Sequence, residues 1–115
     1  MRTTPNKVQV YSTRDGKIPF INWLDKLRDM KGKQIIRTRI ARMELGNFGD
    51  SKSVGEGVSE LRVPYGPGYR VYFGRDGVAI VVLLVGGDKK SQDSDIRLAK
   101  EFWKDYKERE NETKR

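Results

Sequence analysis

Four cations carry most of the chemistry in this chain. Arg62 and Arg70 each interrupt an apolar, alternating segment within residues 60–74, ELRVPYGPGYRVYFG, and Lys89 and Lys90 follow the next apolar run. Side chains on a strand alternate between its two faces. Leu61 and Val63 therefore share one face and Glu60 and Arg62 the other; Tyr69, Val71 and Phe73 oppose Arg70 and Tyr72 in the same way. Pairing the two segments across their Gly/Pro turn gathers two guanidiniums and a phenol on one surface. Arginine grips a phosphate as a two-pronged fork, whereas lysine supplies a movable point charge. The Lys pair stands in GGDKKSQ, between a strand and a helix, where backbone N–H groups at a helix start attract anions. Tyr72 suits stacking on a base or donating to a phosphate oxygen. The arginines admit a second reading, as solvated residues or as partners of Glu60 across the strands. GGDKKSQ can likewise be an ordinary connecting loop, and Tyr72 can pack between strands.

Several other chemistries are excluded. The 115 residues contain no histidine and no cysteine. That removes disulfides, the usual zinc ligand sets, and Ser-His-Asp or His-based proton relays. The charge balance, 24 Lys and Arg against 16 Asp and Glu, gives a net +8. Such an excess favours polyanions: nucleic acid, ribosome, an anionic membrane surface or an acidic protein. The longest apolar run, Val78 to Val85, is far short of a membrane span. The N-terminus lacks the apolar core of a signal peptide. The expected location is cytoplasmic, with no cofactor and no metal.

The elements that hold these residues follow from patterning. Residues 7–13 read as an opening strand and 14–17 as a turn. Pro19 suits a first helical turn, and Phe20, Trp23, Leu24, Leu27 and Met30 continue at helical spacing to about Met30. Gly32 separates this from a second helix, about 33–46, whose apolar stripe is Ile36, Ile40 and Met43 and whose remaining surface is basic. Together they predict an αα-hairpin, with Gly46 as a C-cap. Residues 47–57 read as loop with at most a short edge strand. After the hairpin strands, Arg75-Asp76-Gly77 marks a turn, and Val78 to Val85 is apolar throughout, as in a strand covered on both faces. A last helix runs from about Ser91, its N-cap, to Tyr106, with Ile96, Ala99, Phe102, Trp103 and Tyr106 buried. Residues 107–115 read as a frayed charged tail. The expectation is one α+β domain over 1–115, in the order β-α-α-β-β-β-α. Its antiparallel sheet carries all the helices on one face and leaves the other open.

Three stretches, PFINWLDKL (19–27), ELRVPYGPGYRVYF (60–73) and VVLLVGGDKKSQDSDIRLAKEFW (81–103), resemble toxins of the RelE/ParE superfamily, closest to its HigB-like, phage-related branch. The resemblance covers about residues 7–106 and implies a RelE-like fold. It implies the toxin half of a type II toxin–antitoxin pair: an endoribonuclease that cuts mRNA on the ribosome or, for ParE-like members, an inhibitor of DNA gyrase. The implied partners are mRNA, the ribosome and a helix-turn-helix, HigA-like antitoxin. The family's Gly-Tyr-Arg arginine matches Arg70, its preceding basic residue Arg62, and its basic position after the last buried strand Lys89 or, preferably, Lys90. On this reading Arg62, Arg70 and Lys90 are catalytic, and Lys89, Tyr72 and Ser91 bind RNA. Where RelE-type enzymes place a tyrosine near the last helix this chain reads Asp93-Ser94-Asp95-Ile96, so no general base is assigned. A basic nucleic-acid-binding module without toxicity is the remaining alternative.

Overall fold

The computed structural model describes residues 5–113. Strand β1 (Lys7–Val10) precedes helices α1 (Pro19–Lys26) and α2 (Met30–Glu44). Strands β2 (Ser51–Gly55), β3 (Val58–Val63), β4 (Tyr69–Asp76) and β5 (Ile80–Gly87) follow, and helix α3 (Gln92–Thr113) closes the chain. The fold is α+β, with a five-stranded sheet in the order β1-β5-β4-β3-β2. Residues 51–55, read mostly as loop, form the edge strand β2. The sheet is mixed rather than antiparallel, because β1 runs parallel to β5.

The helices do not share one face. Phe20 and Leu24 of α1 and Ile36 and Met43 of α2 pack with Leu61, Val63, Val71, Phe73, Val81 and Leu83. Ala99 and Trp103 of α3 pack with Val58, Tyr72, Val82 and Leu84, which alternate with the first set along the same strands. The sheet is therefore sandwiched, and the face expected to be open carries α3. The unbroken apolar run of β5 is the sequence counterpart of this, since both of its sides are buried. An extra residue in β5 (Tyr72 pairs with Val85, Phe73 with Leu83) forms a bulge that turns both Leu84 and Val85 toward α3.

Element ends differ from expectation where a polar side chain decides. Asp29 caps α2 by accepting from the Gly32 N–H at 2.9 Å. Met30 therefore begins the second helix instead of ending the first, and is 69% exposed. Gly32 is no separator; it lies in the first turn of α2, where a β-carbon would sit 2.6 Å from the Tyr69 ring. The 107–113 segment is helical rather than frayed, although its apolar stripe stops at Tyr106. Arg109 donates to the Ser12 carbonyl, and Arg14 reaches Asp105 at 3.1 Å and Glu112 at 3.4 Å. Polar ties to residues 12–14 thus hold the last turns. Among the described residues, no helix is long and apolar enough to cross a membrane.

Candidate phosphate-binding site

Arg62 of β3 and Arg70 of β4 stand directly opposite each other in the antiparallel pair. Like charges in that position are destabilising unless something offsets them. Each guanidinium has its own carboxylate. Arg62 donates to Asp50 Oδ1 from Nη2 at 3.0 Å and from Nε at 3.3 Å. Arg70 Nε lies 3.6 Å from Glu60 Oε2, and its Nη1 donates to the Gly68 carbonyl at 2.6 Å. The pairing with Glu60 foreseen as an alternative is thus present for Arg70, while Arg62 pairs with Asp50.

The two arginines differ in access. The Arg62 side chain is 41% exposed and that of Arg70 12%. They line a cleft of about 300 Å³ together with Asp50, Pro64, Gly68 and Tyr69. Arg62 lies at its rim and Arg70 at its base. Gly68, at φ 79°, lets Arg70 fold back: a β-carbon there would meet Arg70 Nη1 at 3.1 Å and the Lys89 β-carbon at 3.4 Å. Lys89 therefore flanks the same glycine as Arg70. Lys90 is the next residue along, exposed. Neither lysine has an ion-pair partner among the described residues. The structure brings Arg62, Arg70 and Lys89 to one end of the sheet and leaves Lys90 on the adjoining turn.

One sequence assignment is corrected. Tyr72 is buried at 0% exposure under α3, and its hydroxyl donates to Glu60 Oε2 at 3.1 Å. Burial and that carboxylate push its phenol well above the ordinary range; it is a core residue and offers no stacking surface. Ser91 is half-buried and engaged on both sides: its N–H donates to Asp88 Oδ1 at 3.1 Å and its hydroxyl to Asp95. The Asp88 carboxylate also takes the Lys90 N–H at 2.9 Å. Two of the amides in the loop that leads into α3, those of Lys90 and Ser91, thus already hold an anion, the side chain of Asp88.

Two acidic residues escaped assignment. Glu60 was seen only as a cross-strand partner, yet it is fully buried and collects Tyr72, Arg70 and Gln92, whose Nε2 donates to Oε2 at 2.8 Å. Its other oxygen, Oε1, and Arg70 Nε are buried without a hydrogen-bond partner. At 3.6 Å the Glu60–Arg70 contact is Coulombic rather than a hydrogen bond, so one N–H of Arg70 remains uncommitted. The available signal was a carboxylate spaced two residues from Arg62 on the covered face. Asp50 lay in an apparent loop and carried no signal before β2 was in place. Among the described residues no three acidic side chains converge to hold a metal ion.

Tyr69 ties the site to the helical layer. Its hydroxyl donates to Asp29 Oδ2 at 2.8 Å. Burial first, and this hydrogen bond second, push its phenol up to about 12. The proton is thus held more tightly in the folded state, so the contribution to stability is whole below about pH 10. It is lost as pH rises through about 12. The urea midpoint of the wild type is expected to exceed that of Tyr69→Phe at pH 8 and to lose that margin above pH 10. A margin that grows with alkalinity would contradict the assignment.

The chain is 49% identical over 83 residues to an uncharacterized protein of Haemophilus influenzae strain Rd, an alignment covering 72% of this chain and 84% of the relative. The two chains belong to one family. The shared region is most of each chain rather than a local motif. No family model matches the chain, and the relative, being uncharacterized, brings kinship without an activity.

Proposed function

We propose that this protein is a RelE-like, HigB-type toxin: an endoribonuclease of a type II toxin–antitoxin pair that cuts mRNA on the ribosome. The observation that carries the reading is the Arg62–Arg70 cross-strand pair at one cleft, beside two lysines that have no ion-pair partner among the described residues. A fold that only needed stability gains nothing by setting two guanidiniums opposite each other. A fold that must surround a phosphate does.

The reaction uses the nucleophile that RNA carries. The 2′-oxygen forms a bond to phosphorus while the P–O5′ bond breaks, leaving a 2′,3′-cyclic phosphate and a 5′-hydroxyl. Arg62 at the rim and Arg70 at the base face the non-bridging oxygens as charge grows there; removing a preorganised donor of this kind costs roughly 3–4 kcal/mol of the barrier. Asp50 is the carboxylate that both lines the cleft and reaches solvent, with its side chain 48% exposed. It takes the proton of the 2′-hydroxyl. Lys89, which flanks Gly68 beside Arg70, delivers a proton to the leaving O5′, and Lys90 on the adjoining turn holds a neighbouring phosphate. Glu60, sealed from solvent, orients Arg70. The implied partners are mRNA, the ribosome and a helix-turn-helix antitoxin, in the cytoplasm.

The test is induction in a bacterial host. We expect incorporation of labelled amino acid to stop within minutes while plasmid supercoiling is unchanged. Relaxed plasmid with intact mRNA would replace this reading by gyrase inhibition. Unimpaired growth would reduce the protein to a binding module.

A further inference from the structure

We propose that the outer edge of α3, with the exposed edge of the sheet beside it, is a track for the phosphate backbone of RNA that leads away from the Arg62–Arg70 cleft; it rests on the nuclease reading for the identity of the polyanion. Arg97, Lys100, Lys104 and Lys107 recur at steps of three and four and line one groove of about 420 Å³. At about 1.5 Å per residue the four cations span roughly 15 Å of helix.

Composition does not force the stripe. α3 holds five cations and seven carboxylates. On its other edge Asp105 pairs with Arg14 and Arg109, and Glu112 with Arg14, while Glu101, with Glu56 of the β2–β3 turn, lines the groove beside the four cations. Along the stripe only Lys100 has an ion-pair partner among the described residues, Glu56 at 3.8 Å. α3 lies over β5 and β4 and reaches β3, leaving the outer strand β2 beside it. On β2, exposed Lys52 pairs with Glu60 and so shares the α3 face. The floor at Lys52 and the wall at Arg97 thus continue the positive surface that begins at Arg62. No aromatic side chain lines the groove, so it offers nothing for bases to stack on. It reads charge and spacing and is indifferent to sequence.

The probe is a fluorescent 2′-O-methyl RNA dodecamer, which lacks the nucleophilic hydroxyl and stays intact. Its affinity for the full chain is followed by anisotropy from 50 to 300 mM KCl. Each phosphate contact to a single strand contributes about 0.7 to the slope of log K against log salt. The variant R97Q/K100Q/K104Q/K107Q is expected to lose about 3 from that slope and on the order of 100-fold in affinity near 0.1 M salt. K33Q/R37Q/R42Q, which removes three cations from α2, is expected to leave the slope within 1 of wild type. If the fourfold variant loses its helical circular dichroism, K104Q/K107Q must still lower the slope by about 1.4. A slope that survives, a wild type that does not bind, or an equal loss in the α2 variant would overturn the track. Binding with this slope but no cleavage of unmodified mRNA on ribosomes would instead defeat the nuclease reading and leave the track standing.

Discussion

Glu60→Ala is expected to destabilise the protein by about 3–5 kcal/mol, the usual cost of removing one partner from a buried ion pair. The wild-type carboxylate is fully buried and accepts from Tyr72 and Gln92 while facing Arg70. Its removal strands a guanidinium whose remaining anchor is the Gly68 carbonyl and leaves the Tyr72 hydroxyl without an acceptor. Replacing both charges together is different: Glu60→Leu with Arg70→Met removes the desolvation penalty along with the attraction. That double variant is expected to recover the part of the loss that comes from the stranded guanidinium, though not the part from the Tyr72 hydroxyl and Gln92 amide, while cutting no RNA. Urea midpoints of Glu60→Leu, Arg70→Met and the double variant form the cycle. A Glu60→Ala variant within 1 kcal/mol of wild type would mean that Arg70 and Tyr72 do not depend on this carboxylate as their partner. Because Arg70→Ala has the same structural cost, activity at this position is better probed with Arg70→Lys, which keeps the charge and loses the fork.

The second large effect is catalytic. Asp50→Asn is expected to lower mRNA cleavage by 10²–10⁴-fold, the range for loss of a general base, with stability changed by less than about 1 kcal/mol. The contrast with Glu60 follows from exposure. Asp50 and Arg62 are both well exposed, at 48% and 41%, and pairs of that kind contribute little to stability. The asparagine keeps an oxygen for Arg62 and the backbone contact from Arg62 N–H to the Asp50 carbonyl at 2.9 Å. What it cannot do is take a proton. Cleavage that persists at wild-type rate in Asp50→Asn would reassign the base while leaving the arginines in place.

Much of this was legible in the sequence, and the failures have physical causes. The hairpin register follows from alternation: with Leu61 and Val63 inward, Arg62 must share a face with Glu60, and it does. Helical stripes were found because burial imposes a period. A period reports that a face is covered, however, and not by which layer, so α3 was placed beside α1 and α2. Two features contained the correction. One is the unbroken run Val81–Val85, which needs cover on both sides. The other is Gly86-Gly87: a β-carbon on the first would lie 2.2 Å from Trp23 of α1, and on the second 1.8 Å from Asp95 of α3. A glycine pair that reads as a strand end is also where the two layers approach from opposite faces. Of the site, the cations were legible because each arginine interrupts an otherwise apolar, alternating strand. Asp50 and Glu60 were not, because a carboxylate acquires its role from what folding places beside it.

The most direct test of the nuclease claim is the chemistry of the cut ends. Purified protein is added to ribosomes translating a defined mRNA, and the fragments are analysed at both termini. The account predicts new 5′-hydroxyl ends matched by 2′,3′-cyclic phosphates, abolished in Arg70→Lys and strongly reduced in Asp50→Asn. Intact mRNA with the wild-type protein, or 5′-phosphate ends, would contradict it.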